Sequence, residues 1–335
     1  MKKIILHVGP HKTGSTYIQK YLYLNREYLF EHGWNYPEPI ELNPEVGHYG
    51  HRRLGFDETQ ISYYLSHSEN KKVIFSSENL YLLGEDQLNK LFKAITNARF
   101  EEIIVVFYAR NPIERAYSFI KELFKGGWHY TIPEFLSIYL LSPFKRKEVN
   151  YSIYLDTVKK FDPQIIIIDY EYFSKNSLLI PLLEIMEIPV DKLNLKNDIV
   201  NKGIKLEFAE MLRYLNLKSK ESGYDFAEYK LFNAVRKVLS SDNELKEEID
   251  ELQNALSEYK ESIIIGSFIP SALERLFSNK YSSNFYKGIH ESWSKKVEIN
   301  YISERWMVNK NLLKTLDKLY TKCLKVLNHA SNISQ

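Results

Sequence analysis

The chain of 335 residues has one cysteine, Cys323, so it can form no internal disulfide and offers no cysteine-based metal site. An excess of one charge is also missing: 45 Lys and Arg stand against 43 Asp and Glu, a formal net charge of +2. That balance argues against an electrostatic nucleic-acid binder. No apolar run approaches the length of a transmembrane span. The opening Met1-Lys2-Lys3-Ile4-Ile5-Leu6 imitates the charged start of a signal peptide, but the apolar part stops at Gly9-Pro10-His11-Lys12, too short for a signal core. Repeats and low-complexity linkers are lacking. These absences lead to the expectation of a soluble cytoplasmic protein with one large core, or a core plus a helical subdomain.

What is present gathers around Ile4-Ile5-Leu6-His7-Val8-Gly9-Pro10-His11-Lys12-Thr13-Gly14-Ser15-Thr16. An apolar, β-branched run breaks at Gly9-Pro10, a loop carries Lys12, and Gly14-Ser15-Thr16 leads into the helical pattern of Tyr17 to Leu22. A strand, a glycine-bearing turn and a helix start, in that order, collect free N–H groups and the positive end of a helix dipole at one point. Thr13, Ser15 and Thr16 add hydroxyls and Lys12 a full charge, so the stretch reads as a cradle for a phosphate-like anion. Gly9 and Gly14 have the spacing of the nucleotide-triphosphate loop G-x-x-x-x-G-K-[ST], with Thr16 at its hydroxyl position. Ser15 stands where that motif needs Lys, and the lysine has moved to Lys12. A lysine earlier in the loop suits a shorter anion, with no γ-phosphate and no metal.

Further along, buried strands are expected over Lys72 to Ser76, Ile103 to Ala109 and Gln164 to Asp169. Helices are expected from Ser15 to about Glu31, over Asp86 to Asn97, from Pro112 through Phe124, after Pro133, and over Tyr151 to Phe161. Trp34 to Thr59 reads as a long loop holding His48, His51, Arg52 and Arg53, and loops of that length are more often functional than idle. Ser77-Glu78-Asn79 follows a strand, at the edge where open parallel sheets bind ligands. Arg110 also sits at a strand end. Asn111-Pro112 starts the next helix, on which Arg115 and Ser118 share a face. An arginine fork plus a hydroxyl suits a dianionic phosphate.

The later chain is read as helical, over Glu207 to Leu217, Ser241 to Tyr259 and about Asn309 to Leu327. Ser241 and Glu244 have capping-box spacing, and Leu245, Ile249, Leu252 and Leu256 form an apolar stripe. The last helix sets Leu312, Leu316, Leu319 and Cys323 on one side and Lys310, Lys314, Lys318, Lys322 and Lys325 on another. Such a helix can make peripheral contact with an anionic membrane, although a solvated lysine row is the plainer reading. The whole pattern predicts an α/β fold, a doubly wound parallel sheet with a mostly helical C-terminal part. Residues 1–200 are expected as the core and 201–335 as a helical extension packed on it.

On these residues the chain resembles the PAPS-dependent sulfotransferases (PAPS is 3′-phosphoadenosine 5′-phosphosulfate). Pro10-His11-Lys12-Thr13-Gly14-Ser15-Thr16 is similar to their 5′-phosphosulfate loop. Arg110 and Ser118 resemble the Arg and Ser that hold the 3′-phosphate after the third strand. Glu78 stands near the point where cytosolic members carry a base histidine, and so resembles the carbohydrate sulfotransferases that use a glutamate. Asn201-Lys202-Gly203 resembles a late loop that closes over the 3′-phosphate end. Ser283-Asn284 is like a segment of many bacterial members and carries no assigned role.

The resemblance implies a P-loop-like fold, PAPS as donor with adenosine 3′,5′-bisphosphate (PAP) as product, and no metal. It places His11, Lys12, Thr13, Gly14, Ser15 and Thr16, together with Arg110, Ser118, Asn201, Lys202 and Gly203, around the nucleotide. Lys12 would stabilise the leaving phosphate and Glu78 would be the base, with His48 second and His51 third. The implied acceptor is a small molecule or a glycan precursor. Trp34, Tyr36, Trp128, His129 and Tyr130 are candidate aromatic platforms for a sugar. Two alternatives stay open. Ile165-Ile166-Ile167-Ile168-Asp169 imitates a Walker B strand, which would suit a kinase or hydrolase using Mg-ATP. A nucleotide-binding protein without turnover would keep Lys12 and Arg110 but lack a working base.

Overall fold

The computed structural model describes residues 2–66, 72–190, 203–224, 229–288 and 293–332. The chain begins with β1 (Lys3–Val8), α1 (Ser15–Leu24), α2 (Arg26–Glu31), β2 (Trp34–Asn35), α3 (Glu58–Ser66) and β3 (Lys72–Ser76). There follow α4 (Glu85–Asn97), β4 (Glu102–Ala109), α5 (Pro112–Lys125), α6 (Ile132–Leu140), α7 (Tyr151–Lys159) and β5 (Gln164–Asp169). Then come α8 (Tyr170–Phe173), α9 (Ile180–Ile185), α10 (Leu206–Glu221), α11 (Lys230–Ser241) and α12 (Asn243–Leu256). The last elements are β6 (Lys260–Ile265), α13 (Phe268–Tyr281), β7 (Val297–Ile302) and α14 (Lys310–Asn332).

The chain groups into two compact units. The first comprises Met1–Arg115, Pro143–Asn201 and Ser267–Lys295, and the second Ala116–Ser142, Lys202–Gly266 and Lys296–Gln335. The units therefore interleave along the chain, whereas the sequence pattern alone suggests one division after residue 200.

The first unit is built on a five-stranded parallel sheet of order β2-β3-β1-β4-β5. The apolar runs that predicted strands are buried on both faces, as parallel strands require. On one face Ile4, Leu6, Val105 and Phe107 pack with Leu91 of α4 and Leu155 of α7. On the other Ile5, Val106 and Ile168 pack with Ile18 and Leu22 of α1 and Leu182 of α9. Each such side chain contributes about 1.5–3 kcal/mol by leaving water. Late residues reach this core too, since Phe277 and Tyr281 of α13 join the first face. Asn284 Nδ2 donates to Ile165 O at 2.9 Å, and Tyr286 N to Ile167 O at 2.8 Å. Segment 284–286 thereby continues the sheet's hydrogen bonding beyond β5.

The connection from β1 leads towards β2, and that from β4 towards β5. The crevice of the open sheet accordingly lies between β1 and β4, outside their carboxyl ends.

Three local expectations change. The helix expected from Ser15 to about Glu31 breaks at Asn25, whose side chain turns back to Tyr21 O at 2.9 Å. The long loop contains β2, a 3-10 turn at Pro44–Val46 and the first two residues of α3. Ser241 ends α11, and Asp242 is the cap of α12, its Oδ1 accepting from Leu245 N at 3.0 Å.

The second unit holds most of α5, with α6, α10, α11, α12 and α14. It also holds an antiparallel β6–β7 pair that the sequence reading did not anticipate. The stripe Leu245, Ile249, Leu252 and Leu256 is buried, as are Leu312, Leu316, Leu319 and Cys323 of α14. Two lysines of the basic row pair with α12 and its cap, Lys318 with Glu248 and Lys322 with Asp242. Among the described residues no helix is long and apolar enough to cross a membrane.

Candidate functional site

The site begins where β1 ends. Lys12 and Gly14 both take left-handed backbone, at φ 74° and 79°. For Lys12 that costs about 1–2 kcal/mol. Left-handed residues on either side of Thr13 curl the loop into a concavity of the kind that collects N–H groups. Gly14 also caps α1 without a side chain, so the first-turn N–H groups of the helix stay available to a ligand. Gly9 permits the tight closure. A Cβ there would stand 2.6 Å from both Thr13 Oγ1 and Ser15 Oγ. Those hydroxyls turn inward, Thr13 to Pro10 O at 2.7 Å and Ser15 to Gly9 O at 3.3 Å. They brace the loop, and Thr16 is the loop hydroxyl left half-buried.

Two arginines clamp this loop, Arg110 from the end of β4 and Arg115 from the first turn of α5. Arg110 Nη1 donates to Lys12 O at 2.8 Å, and Arg115 Nη1 to His11 O at 3.5 Å. Arg115 also donates to Glu148 O, and Arg110 lies 4.8 Å over the Tyr170 ring. The sequence pattern shows Arg115 only as a neighbour of Ser118 on one helix face. Its position one turn into a helix that starts at a sheet's carboxyl edge was the signal for a loop contact. Asn111 caps α5 as expected, its Oδ1 accepting from Ile113 N and Glu114 N.

Glu171 lies 4.0 Å from Arg110 Nε and accepts from Asn111 N at 2.8 Å. Burial pushes its carboxyl up to about 7 despite those two partners. Asp169 is spent in part on α8, whose Tyr172 N donates to its Oδ1 at 3.2 Å.

Glu78 opens a 3-10 turn after β3, and Ser77 caps that turn by accepting from Asn79 N. Gln19 of α1 donates to Glu78 Oε2 at 2.7 Å, tying the carboxylate to the helix that carries the loop. Burial pushes the His11 imidazole below its usual range. Glu78 opposes that shift, whereas Arg115, Lys12 and Arg52 add to it. His48 is lowered by burial and by Arg52, whose Nη1 is 3.1 Å from its Nδ1, again against Glu78. An open groove lined by Arg52, Arg53, Phe56, Asp57, Thr59 and Asn79 runs beside this turn.

Other candidates fall elsewhere. His51 is wholly enclosed by Tyr36, Tyr64 and Phe75. Its Nε2 donates to Pro37 O at 3.0 Å and its Nδ1 accepts from Ser76 N at 3.3 Å, which makes it a bracing residue and not a base. Trp34 and Tyr36 are core residues, bonded to Met186 O and Tyr49 O, and are not sugar platforms. Trp128, His129 and Tyr130 belong to the second unit, where Trp128 and Tyr130 are part-exposed and His129 Nε2 meets Lys220 Nζ at 3.0 Å. Ser118 also lies in that unit and is half-buried. Gly203 is exposed, and Asn201 and Lys202 lie outside the described residues.

One residue passed over as mere strand sits directly under the loop. His7 is fully buried, with Nδ1 2.6 Å from Ser76 Oγ and Nε2 without a hydrogen bond among the described residues. Its polarity inside an otherwise apolar strand was the available signal.

Among the described residues no group of three or more His, Cys, Asp or Glu is placed to share a metal ion. No protein-family model matches the chain, and no curated protein matches it.

Proposed function

We propose that this chain is a PAPS-dependent sulfotransferase of P-loop-like fold that moves a sulfuryl group to an acceptor hydroxyl on a carbohydrate or glycan precursor. One observation carries the reading. The lysine-bearing loop after β1, the Glu78 turn after β3 and the arginines after β4 come together at the carboxyl edge of three adjacent strands.

In-line transfer forms a bond from the acceptor oxygen to sulfur and breaks the bond from sulfur to the bridging phosphate oxygen. Glu78 takes the acceptor proton, and PAP leaves with the electron pair on its phosphate. Gln19 aims the Glu78 carboxylate, and proton transfer to a positioned base of this kind contributes about 10²–10⁴-fold. Lys12 and the first-turn N–H groups of α1 stabilise the charge on the leaving phosphate. His48, whose pKa burial and Arg52 lower, is the second candidate base. The resemblance also assigns Arg110 to the 3′-phosphate end. The groove beside Asn79 is the place for the acceptor, where Phe56 offers a face and Arg52 and Arg53 offer donors.

The deciding experiment is calorimetric binding of PAP without metal, run beside ATP with Mg²⁺. Tight PAP binding with weak ATP binding is the expected result. Preference for Mg-ATP would overturn the reading and turn attention to Asp169.

A further inference from the structure

His7 is the penultimate residue of β1, two residues before Gly9. A Cβ placed on Gly9 would lie 3.5 Å from His7 Nε2 and 2.6 Å from Thr13 Oγ1 and Ser15 Oγ. These three polar atoms converge on the inner side of the loop. Both hydroxyls have acceptors on the loop itself. His7 Nε2 is buried with no partner among the described residues. Tyr108 closes the ring from the side, edge-on at 5.0 Å. A buried nitrogen without a partner costs free energy unless something else meets it, and here Gly9 of the loop and Ser15, the first residue of α1, lie on its side of the loop.

We propose that His7 completes the anion cradle from below, its Nε2–H donating to an oxygen of the bound phosphate or sulfate group. The proposal rests on the anion-binding part of the reading above. The Ser76 hydroxyl can rotate to donate to Nδ1, which leaves the ring hydrogen on Nε2. The opposite tautomer would turn a lone pair towards the anion, so an anion selects the first. Burial holds the ring uncharged, with its pKa down at about 3. His7 thus adds a hydrogen bond to the cradle without adding charge, leaving Lys12, Arg110 and Arg115 to set the electrostatics. Through Ser76 the same contact joins the loop to the strand end that carries Glu78.

The test is ¹⁵N NMR of the imidazoles in the full chain, titrated separately with PAP and with inorganic sulfate. The expected result is a shift of His7 Nε2, with its hydrogen becoming protected from exchange and the ring staying neutral. PAP affinity is measured in parallel for His7→Phe, which loses the donor, and for His7→Gln, which keeps one. His7→Phe should weaken PAP by about tenfold to a hundredfold, and His7→Gln should recover most of that loss. If PAP binds and Nε2 does not move, only a resident water meets it and the proposal falls while the sulfotransferase reading stands. If sulfate moves Nε2 but PAP does not bind, the proposal stands and that reading falls. If no anion moves Nε2, the proposal is overturned even if His7→Phe fails to fold.

Discussion

In the second unit, each of the three nitrogens of buried Arg213 has an acceptor. Nε and Nη2 meet the two Glu210 oxygens at 2.7 and 2.8 Å, and Nη1 meets His129 O at 3.1 Å. Glu304 stands 3.0 Å from Nη2, and Trp306 Nε1 donates to Glu210 Oε1 at 2.9 Å. In the first unit, and among the described residues, Arg110 and Arg115 each leave Nε without a hydrogen bond, as do His7 at Nε2 and Glu171 at Oε2. Among the described residues, every buried side-chain polar atom without a hydrogen bond belongs to the first unit. Both regions bury arginine and carboxylate together. The Arg213 network of the second unit is complete in itself and serves the fold, since closed polar networks rigidify a core. The Arg110 and Arg115 region of the first unit keeps bonding capacity in reserve at a sheet edge, as a binding site does.

The contrast predicts that changes at the open region alter chemistry and changes at the closed knot alter stability. The largest effect is expected at Glu78. Glu78→Ala should lower turnover by about 10²–10⁴-fold while leaving calorimetric PAP binding intact. Loss of binding together with turnover would make Glu78 part of the cradle. Next comes Arg213→Met, which leaves the Glu210 carboxylate buried and unpaired. It should remove about 3–5 kcal/mol in chemical denaturation, and a cost below 1 kcal/mol would deny the knot its structural role.

Glu171 gives an intermediate effect through pH. Its folded-state value of about 7 lies above the ordinary 4.5, because burial favours the protonated form. The folded chain therefore keeps a proton that the unfolded chain has already released. Stability contributed by this group is present below about pH 4.5 and is lost as pH rises through 7, in total about 3 kcal/mol. Glu171→Gln should flatten that part of the stability-against-pH curve, and an unchanged slope would remove Glu171 from the account. The smallest effect is expected at Arg110. Arg110→Ala should weaken PAP by about tenfold to a hundredfold and weaken adenosine 5′-phosphosulfate less. Equal weakening of both would assign Arg110 to the loop, where its bond to Lys12 O already places it.

Much of the first unit was legible. Its strands announce themselves as apolar runs because a parallel strand is buried on both faces, and the loop after β1 because left-handed turns and helix starts have their own residue preferences. The apolar faces of α12 and α14 were legible for the same reason, since one helix's periodicity suffices to show them. What escaped depends on partners far along the chain. His51 looked like a catalytic candidate and is enclosed by residues from Tyr36 to Phe75. Trp34 and Tyr36 looked like ligand platforms and pack in the core. Arg115 looked like a helix-face residue and clamps a loop about a hundred positions earlier. β6 and β7 recognise each other across an intervening helix, which leaves little local pattern to read.

Local preferences, which act over a few residues, determined the α/β class, the positions of β1, β3, β4 and β5, and the glycine and lysine of the loop. Tertiary packing decided the strand order, the sharing of late segments between the two units, and which polar atoms were left without partners. Those outcomes depend on which distant surfaces meet and on whether their hydrogen bonds can all be closed at once, and no stretch of sequence carries that information alone.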